Sequence, residues 1–180
     1  GTMSRCQESA NILREHPTVE SHIKEVSNSK YEVFNELPLQ CENFRDGFGI
    51  KGILDRIVIN RETNSCEIVD VKTTGKSIQD FPVDSIEYYN YWLQAAIYIH
   101  LANCHFGIPI ESIDYSFWVI DKYAQPYNFG VSEGTKREWL KRFDEALEKG
   151  MFHFTKFDFT LPYAMLNPEQ SVDANGRILI

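Results

Sequence analysis

The 180-residue chain has no run of apolar residues approaching the ~20 that a membrane-spanning helix needs. No secretory apolar segment opens it either, so a membrane partner is not expected, and Gly1-Thr2 before Met3 reads as an expression scar that sets residues 1–3 aside. Cysteines are few: Cys6, Cys41, Cys66 and Cys104 are scattered, with no C-x-x-C and no Cys/His cluster. That spacing excludes a zinc or iron–sulfur site and predicts reduced thiols in a cytoplasm. Basic residues are in deficit, 18 Lys and Arg against 26 Asp and Glu, for a net charge of -8. The broad basic footprint of most phosphate binders is therefore missing, and any nucleic acid must be met by a local cluster such as Lys51, Arg56, Lys72 and Lys76. Internal repeats and low-complexity segments are absent as well.

Apolar residues make up 43% of the chain, as in globular proteins, and its length of 180 residues is enough for one domain with a real core and too short for two. The expected domain is the whole of 1–180, with 167–180 as a poorly patterned tail. It is organised around one stretch, GILDRIVINRETNSCEIVDVKTT, from Gly52 to Thr74. Two β-branched runs, Ile53 to Ile59 and Cys66 to Val71, flank a polar turn, which predicts a β-hairpin. A turn centred on Glu62 and Thr63 pairs residues whose numbers sum to 125, so Asp55 faces Asp70. Facing residues share one side of the sheet, with Cβ atoms about 5 Å apart. Lys72, two residues on, shares that side, while Val69 and Val71 point the other way.

An ordinary solvated face could carry Asp, Asp and Lys. However, Ile68-Val69-Asp70-Val71 is nearly continuous apolar sequence, as in a strand buried on both faces. A buried aspartate must be paired or must bind metal, because an uncompensated charge there costs several kcal/mol. A divalent cation between Asp55 and Asp70 would also relieve their mutual repulsion.

Gly52-x-x-Asp55, Asp70-Val71-Lys72-Thr73-Thr74 and Gln94-x-x-x-Tyr98, in that order, resemble the signatures of the PD-(D/E)xK nuclease superfamily. The likeness is greater to its RecB-like and RecE-like branch, which includes phage-type exonucleases, and it covers about Glu36 to Tyr98. The resemblance implies an α/β (α+β) fold with a restriction-endonuclease-like core, a central mixed β-sheet flanked by helices. It implies Asp55, Asp70, Lys72, Gln94 and Tyr98 as the catalytic set. Asp55, Asp70 and the backbone carbonyl of Val71 would bind Mg²⁺ or Mn²⁺, with Glu36 and His16 as further ligands. Relatives with a cysteine-ligated iron–sulfur cluster are not matched, since this chain lacks the cysteine set.

Along the chain, Gln7 to Glu15 and Thr18 to about Val26 read as short helices separated by His16-Pro17. RecE-like chains often carry a His-Pro here; taken alone, His16 or His22 reads as a surface or helix-end residue. Tyr31 to Glu42 reads as a strand, with Glu32, Phe34 and Glu36 on one face and Tyr31, Val33 and Leu37 near the other. Asn43 to Gly49 is then a loop. Asp84-x-x-Glu87 has capping-box spacing, which predicts a helix from Asp84 to about Cys104, ended by Gly107 and Pro109. On that helix Tyr88, Tyr89 and Tyr91 read as core-packed. Gln94, an amide midway along an apolar helix, has no packing explanation. Ile113 to Ile120 is a strand, Asn128 to Val131 pairs back, and Thr135-x-x-Glu138 caps a helix ending at Gly150. The aromatics of Met151 to Leu166 read as core packing before single-strand stacking.

These readings predict metal-dependent hydrolysis of DNA phosphodiester bonds, with Lys72 orienting the attacking water and Lys72→Ala abolishing cleavage while leaving the fold intact. The resemblance favours an exonuclease of recombination, repair or phage type acting on linear DNA, its ends or single strands. A recombination protein and a second copy of the chain are the protein partners it suggests. The competing readings are a structure-specific endonuclease and a catalytically silent nuclease-like domain that binds DNA or protein.

Overall fold

The computed structural model describes residues 30–156, with side chains to Met151, and isolated positions between 7 and 23. Contacts divide the chain into two compact units, Gly1–Phe143 and Asp144–Ile180. No helix among the described residues is long and apolar enough to cross a membrane.

Five strands form one mixed sheet in the order β1-β2-β3-β4-β5: β1 is Tyr31–Arg45, β2 Phe48–Asn60, β3 Ser65–Thr73, β4 Ile113–Ile120 and β5 Pro126–Gly130. β3 and β4 are parallel and the other neighbours antiparallel. The parallel pair needs a crossover, supplied by helix α1, Tyr91–Phe106. Helix α2, Glu133–Lys156, follows β5. Ser132, not Thr135, stands before α2, its Oγ accepting from the Thr135 amide at 3.2 Å, and the helix continues past Gly150. The expected strand Tyr31 to Glu42 is longer, and the expected loop Asn43 to Gly49 shrinks to Asp46-Gly47. Both of those residues have positive φ (48° and 86°), as a two-residue hairpin turn of the primed type requires.

β2 and β3 pair with Arg56 opposite Val69, Ile57 opposite Ile68 and Ile59 opposite Cys66, all summing to 125 as expected. The Asn60 side chain fixes the turn by accepting from the amides of Glu62 (3.0 Å) and Thr63 (3.4 Å). One face of the sheet carries the main core: Ile57, Ile59, Ile68, Tyr115 and Phe117, covered by α1 and by Trp139. On the other face Val69 and Trp118 pack with Val19. Arg56, opposite Val69, lies on that second face and donates to Asn35 at 2.9 Å, which removes it from the expected basic cluster.

The strand alternation changes phase partway along β1 and β2. Phe34, Ile57 and Ile59 face the main core above the change; Leu37, Leu39, Ile50 and Leu54 face it below. Leu37 thus lies on the Phe34 side, not opposite it. The change falls where Glu36, with a φ of 49°, and Asp55 would pair but do not, while the pairs on either side keep one register. A bulge-like kink on both strands at once preserves that register.

The expected helix from Asp84 is broken. Phe81–Ser85 is a π-helical turn, Ile86–Tyr88 a single α turn, and Asn90 adopts the left-handed conformation (φ 54°) before α1 begins. Asn is one of the few side chains that accept this conformation. Glu87 caps nothing; it makes a two-pronged pair with Arg142 at 2.7 and 2.9 Å. Gly107, left-handed at φ 68°, ends α1 as expected. Cys41 of β1 and Cys104 of α1 form a disulfide, correcting the expectation of reduced thiols for those two; their separation of 63 residues hides a contact made only by packing α1 on the sheet. Cys66 is free and buried.

Candidate active site

The end of β3, the phase change in β2 and the first two turns of α1 converge on one cluster. Asp70 is fully buried. Lys72 Nζ forms an ion pair with its Oδ2 at 2.7 Å, and beyond that pair neither carboxylate oxygen has a hydrogen-bond partner. Asp55 sits beside it, its Oδ2 accepting from the Val71 amide at 2.7 Å. This bond bridges β2 and β3 just past their last regular pair, Arg56 with Val69.

Burial pushes the Asp70 carboxyl up to about 7; the ammonium of Lys72 opposes this, and the adjacent Asp55 carboxylate adds to it. Two carboxylates so close in a dry site favour one shared proton or a cation. Lys72 Nζ also donates to Gln94 Oε1 at 2.9 Å, and Gln94 Nε2 donates to Tyr98 Oη at 2.9 Å. Asp70, Lys72, Gln94 and Tyr98 thus form one continuous polar chain, and the amide that packing left unexplained is its middle link. The Lys72 ammonium further sits 4.6 Å above the Tyr91 ring. Burial raises the Tyr98 hydroxyl, Gln94 opposes that, and the charges of Asp70, Asp55 and Glu36 add to it.

Gly52 has a steric reason in this arrangement. A Cβ there would lie 2.6 Å from Tyr98 Cε1, so only glycine leaves room for the Tyr98 ring in the place from which its hydroxyl bonds Gln94.

Glu36 is exposed at the register position of Asp55, close enough for its charge to act on Tyr98. His16 is half-buried, with an unpartnered Nδ1. Among the described residues no three His, Cys, Asp or Glu side chains gather as one ligand group, so neither joins Asp55 and Asp70 in such a set. His22 lies outside the described residues.

The sequence reading missed Tyr115. Its hydroxyl is buried without a partner, and burial raises it well above its ordinary value, with the charges of Asp70, Tyr98 and Asp55 adding. Parallel pairing puts Tyr115 opposite Ile68, two residues along β3 from Asp70 and on its side of the sheet. That pairing was the one signal that could have found it.

The model of the PD-(D/E)XK nuclease superfamily matches residues 5–160. The chain belongs to that superfamily. No curated protein matches it. Among solved structures it is similar to a candidate exonuclease from Eubacterium rectale, with a TM-score of 0.51 and 16% identity, over 79% of this chain and 51% of that one. The match thus spans about half the length of that protein, and at this identity it speaks for the fold. A second structure, SSO0001, matches at a TM-score of 0.40 and 17% identity, over 79% of this chain and 68% of that one.

PD-(D/E)XK nucleases generally use divalent cations, and the residues here fit one. The orphaned Oδ1 of a buried Asp70, a second carboxylate alongside and the nearby Val71 backbone are hard oxygen donors that suit Mg²⁺ or Mn²⁺ better than zinc.

Proposed function

We propose that the chain is a divalent-metal-dependent deoxyribonuclease that hydrolyses DNA phosphodiester bonds from the ends of linear molecules. The observation that carries the reading is Lys72, bonded at once to a buried Asp70 and to Gln94 beside a second carboxylate.

Asp55, Asp70 and the Val71 carbonyl would hold Mg²⁺ or Mn²⁺. When bound, such an ion supplies positive charge that acidifies water and offsets charge on the leaving oxygen. Lys72 has three N–H donors; two serve Asp70 and Gln94, and the third orients a water or a phosphoryl oxygen. Its fixed charge offsets the charge that builds on the phosphate. Gln94 holds the ammonium in place and keeps Tyr98 Oη as acceptor, which leaves the phenol proton for a substrate oxygen.

End-dependent cleavage, rather than cutting within a strand, is supported by the likeness of Gln94-x-x-x-Tyr98 to exonuclease signatures and by the name of the Eubacterium rectale relative in fold. A role in recombination or repair follows from the same likeness. The test incubates the protein with end-labelled linear DNA and closed circular DNA, in Mg²⁺ or in EDTA. Loss of the linear form alone, in Mg²⁺ alone, is the expected result. Nicking of circles would replace the exonuclease with an endonuclease, and loss of neither would leave a binding domain, the reading that the net charge of -8 favours.

A further inference from the structure

A cavity of about 180 Å³ adjoins the catalytic cluster, lined by Thr73, Thr74, Lys76, Ser85, Tyr89 and Tyr91 among others. Tyr91 is the ring under the Lys72 ammonium, so the cavity and the cluster share one wall. Its chemistry is of two kinds. Three aliphatic hydroxyls, those of Thr73, Thr74 and Ser85, and an ammonium suit a phosphate, and Ser85 Oγ is buried without a hydrogen-bond partner. A buried hydroxyl left unsatisfied costs free energy unless a ligand supplies the missing bond.

The other kind is aromatic. Tyr88 and Tyr89 are 73% and 52% exposed, overturning the expectation that they pack in the core. Tyr89 stacks on Tyr91 at 5.4 Å, Tyr88 meets Tyr89 edge-on at 4.8 Å, and Lys76 Nζ lies 4.9 Å from the Tyr88 ring. The left-handed Asn90 turns this pair away from the α1 axis. Large exposed rings beside a cation and a phosphate-sized cavity are how unstacked nucleotides are held.

We propose that this cavity is a subsite for one unstacked nucleotide next to the scissile bond, its phosphate on Lys76, Thr74 and Ser85 and its base against Tyr89. The subsite rests on the nuclease reading for its role, but its occupancy does not need catalysis. It makes the protein prefer a frayed or single-stranded end to a blunt duplex.

The experiment measures binding of a fluorescent single-stranded decanucleotide and of a blunt duplex in EDTA, then KM and kcat in Mg²⁺. Variants are Tyr89→Leu, Lys76→Gln and Ser85→Ala. Tyr89→Leu is expected to weaken single-strand binding on the order of tenfold. KM should rise by a similar factor with kcat held within about twofold. Lys76→Gln is expected to lower the salt dependence of binding by about one phosphate contact. Ser85→Ala should weaken binding while leaving the melting temperature of the free protein no lower than that of the wild type. Wild-type single-strand affinity and salt slope in all three variants would overturn the subsite. If the wild type binds as expected yet never cleaves, the nuclease reading falls and the subsite stands.

Discussion

The ammonium of Lys72 lies 2.7 Å from a carboxylate oxygen of Asp70, with the Asp70 side chain fully buried and that of Lys72 14% exposed. Removing one member of such a pair strands the other as a buried charge, at a cost of about 3–5 kcal/mol. Lys72→Ala is therefore expected to abolish cleavage and also to destabilise the protein at pH 8, against the sequence expectation of an intact fold. Adding Asp70→Asn to Lys72→Ala should restore most of that stability. Urea unfolding of the two variants gives the comparison, and equal stabilities would remove the buried pair as the cause.

Asp70 predicts a pH signature. Its folded value, about 7, stands above the ordinary 3.8, so the proton favours the folded state. Its contribution is complete below about pH 4 and is lost as pH rises through about 7. In EDTA, Asp70→Asn should gain stability relative to the wild type from pH 5 to about pH 7 and level off above it. A difference that stays flat across that range would contradict the burial effect. Mg²⁺ binds the charged carboxylate, so the melting temperature it adds to the wild type should grow over the same range and vanish in the variant.

Gln94→Leu keeps the bulk of the side chain and removes both bonds of the middle link. Activity is expected to fall about ten- to a hundredfold, as for residues that hold a reacting group in place. Because Lys72 loses its tether, the loss should appear in kcat more than in KM. A variant with normal kcat would take Gln94 out of the positioning role.

Gly52→Ala places a methyl against the Tyr98 ring, which is not the movable end of a flexible side chain. Overpacking of this kind costs about 1–3 kcal/mol. Gly52→Ala/Tyr98→Leu should be less destabilised than the two single changes imply, because the smaller side chain makes room. Additive losses in thermal unfolding would show that the two residues do not meet.

The hairpin was legible because its register is written locally: polar turn residues fix the centre, and alternation does the rest. Asp55, Asp70 and Lys72 could be brought together on that basis; Gln94 stood out as an amide with no packing reason to be where it is, and only the family resemblance implied a place for it in the site. Tyr88 and Tyr89 were not legible in this way. Their spacing is helical, and only the backbone of Asn90, which the sequence permits without demanding, turns them outward. Tyr115 was hidden by a pairing between strands separated by a whole helix. The Cys41–Cys104 disulfide likewise depends on docking rather than on any local pattern.

Because β1 and β2 shift phase together at Glu36 and Asp55, the length of their hairpin is constrained unevenly. An extra residue in one strand near that point would flip every side chain beyond it to the wrong face. The Asp46-Gly47 tip lies beyond this constraint. A peptide tag spliced in there should leave the nuclease cluster in register, making the tip the natural place to attach a label or a tether.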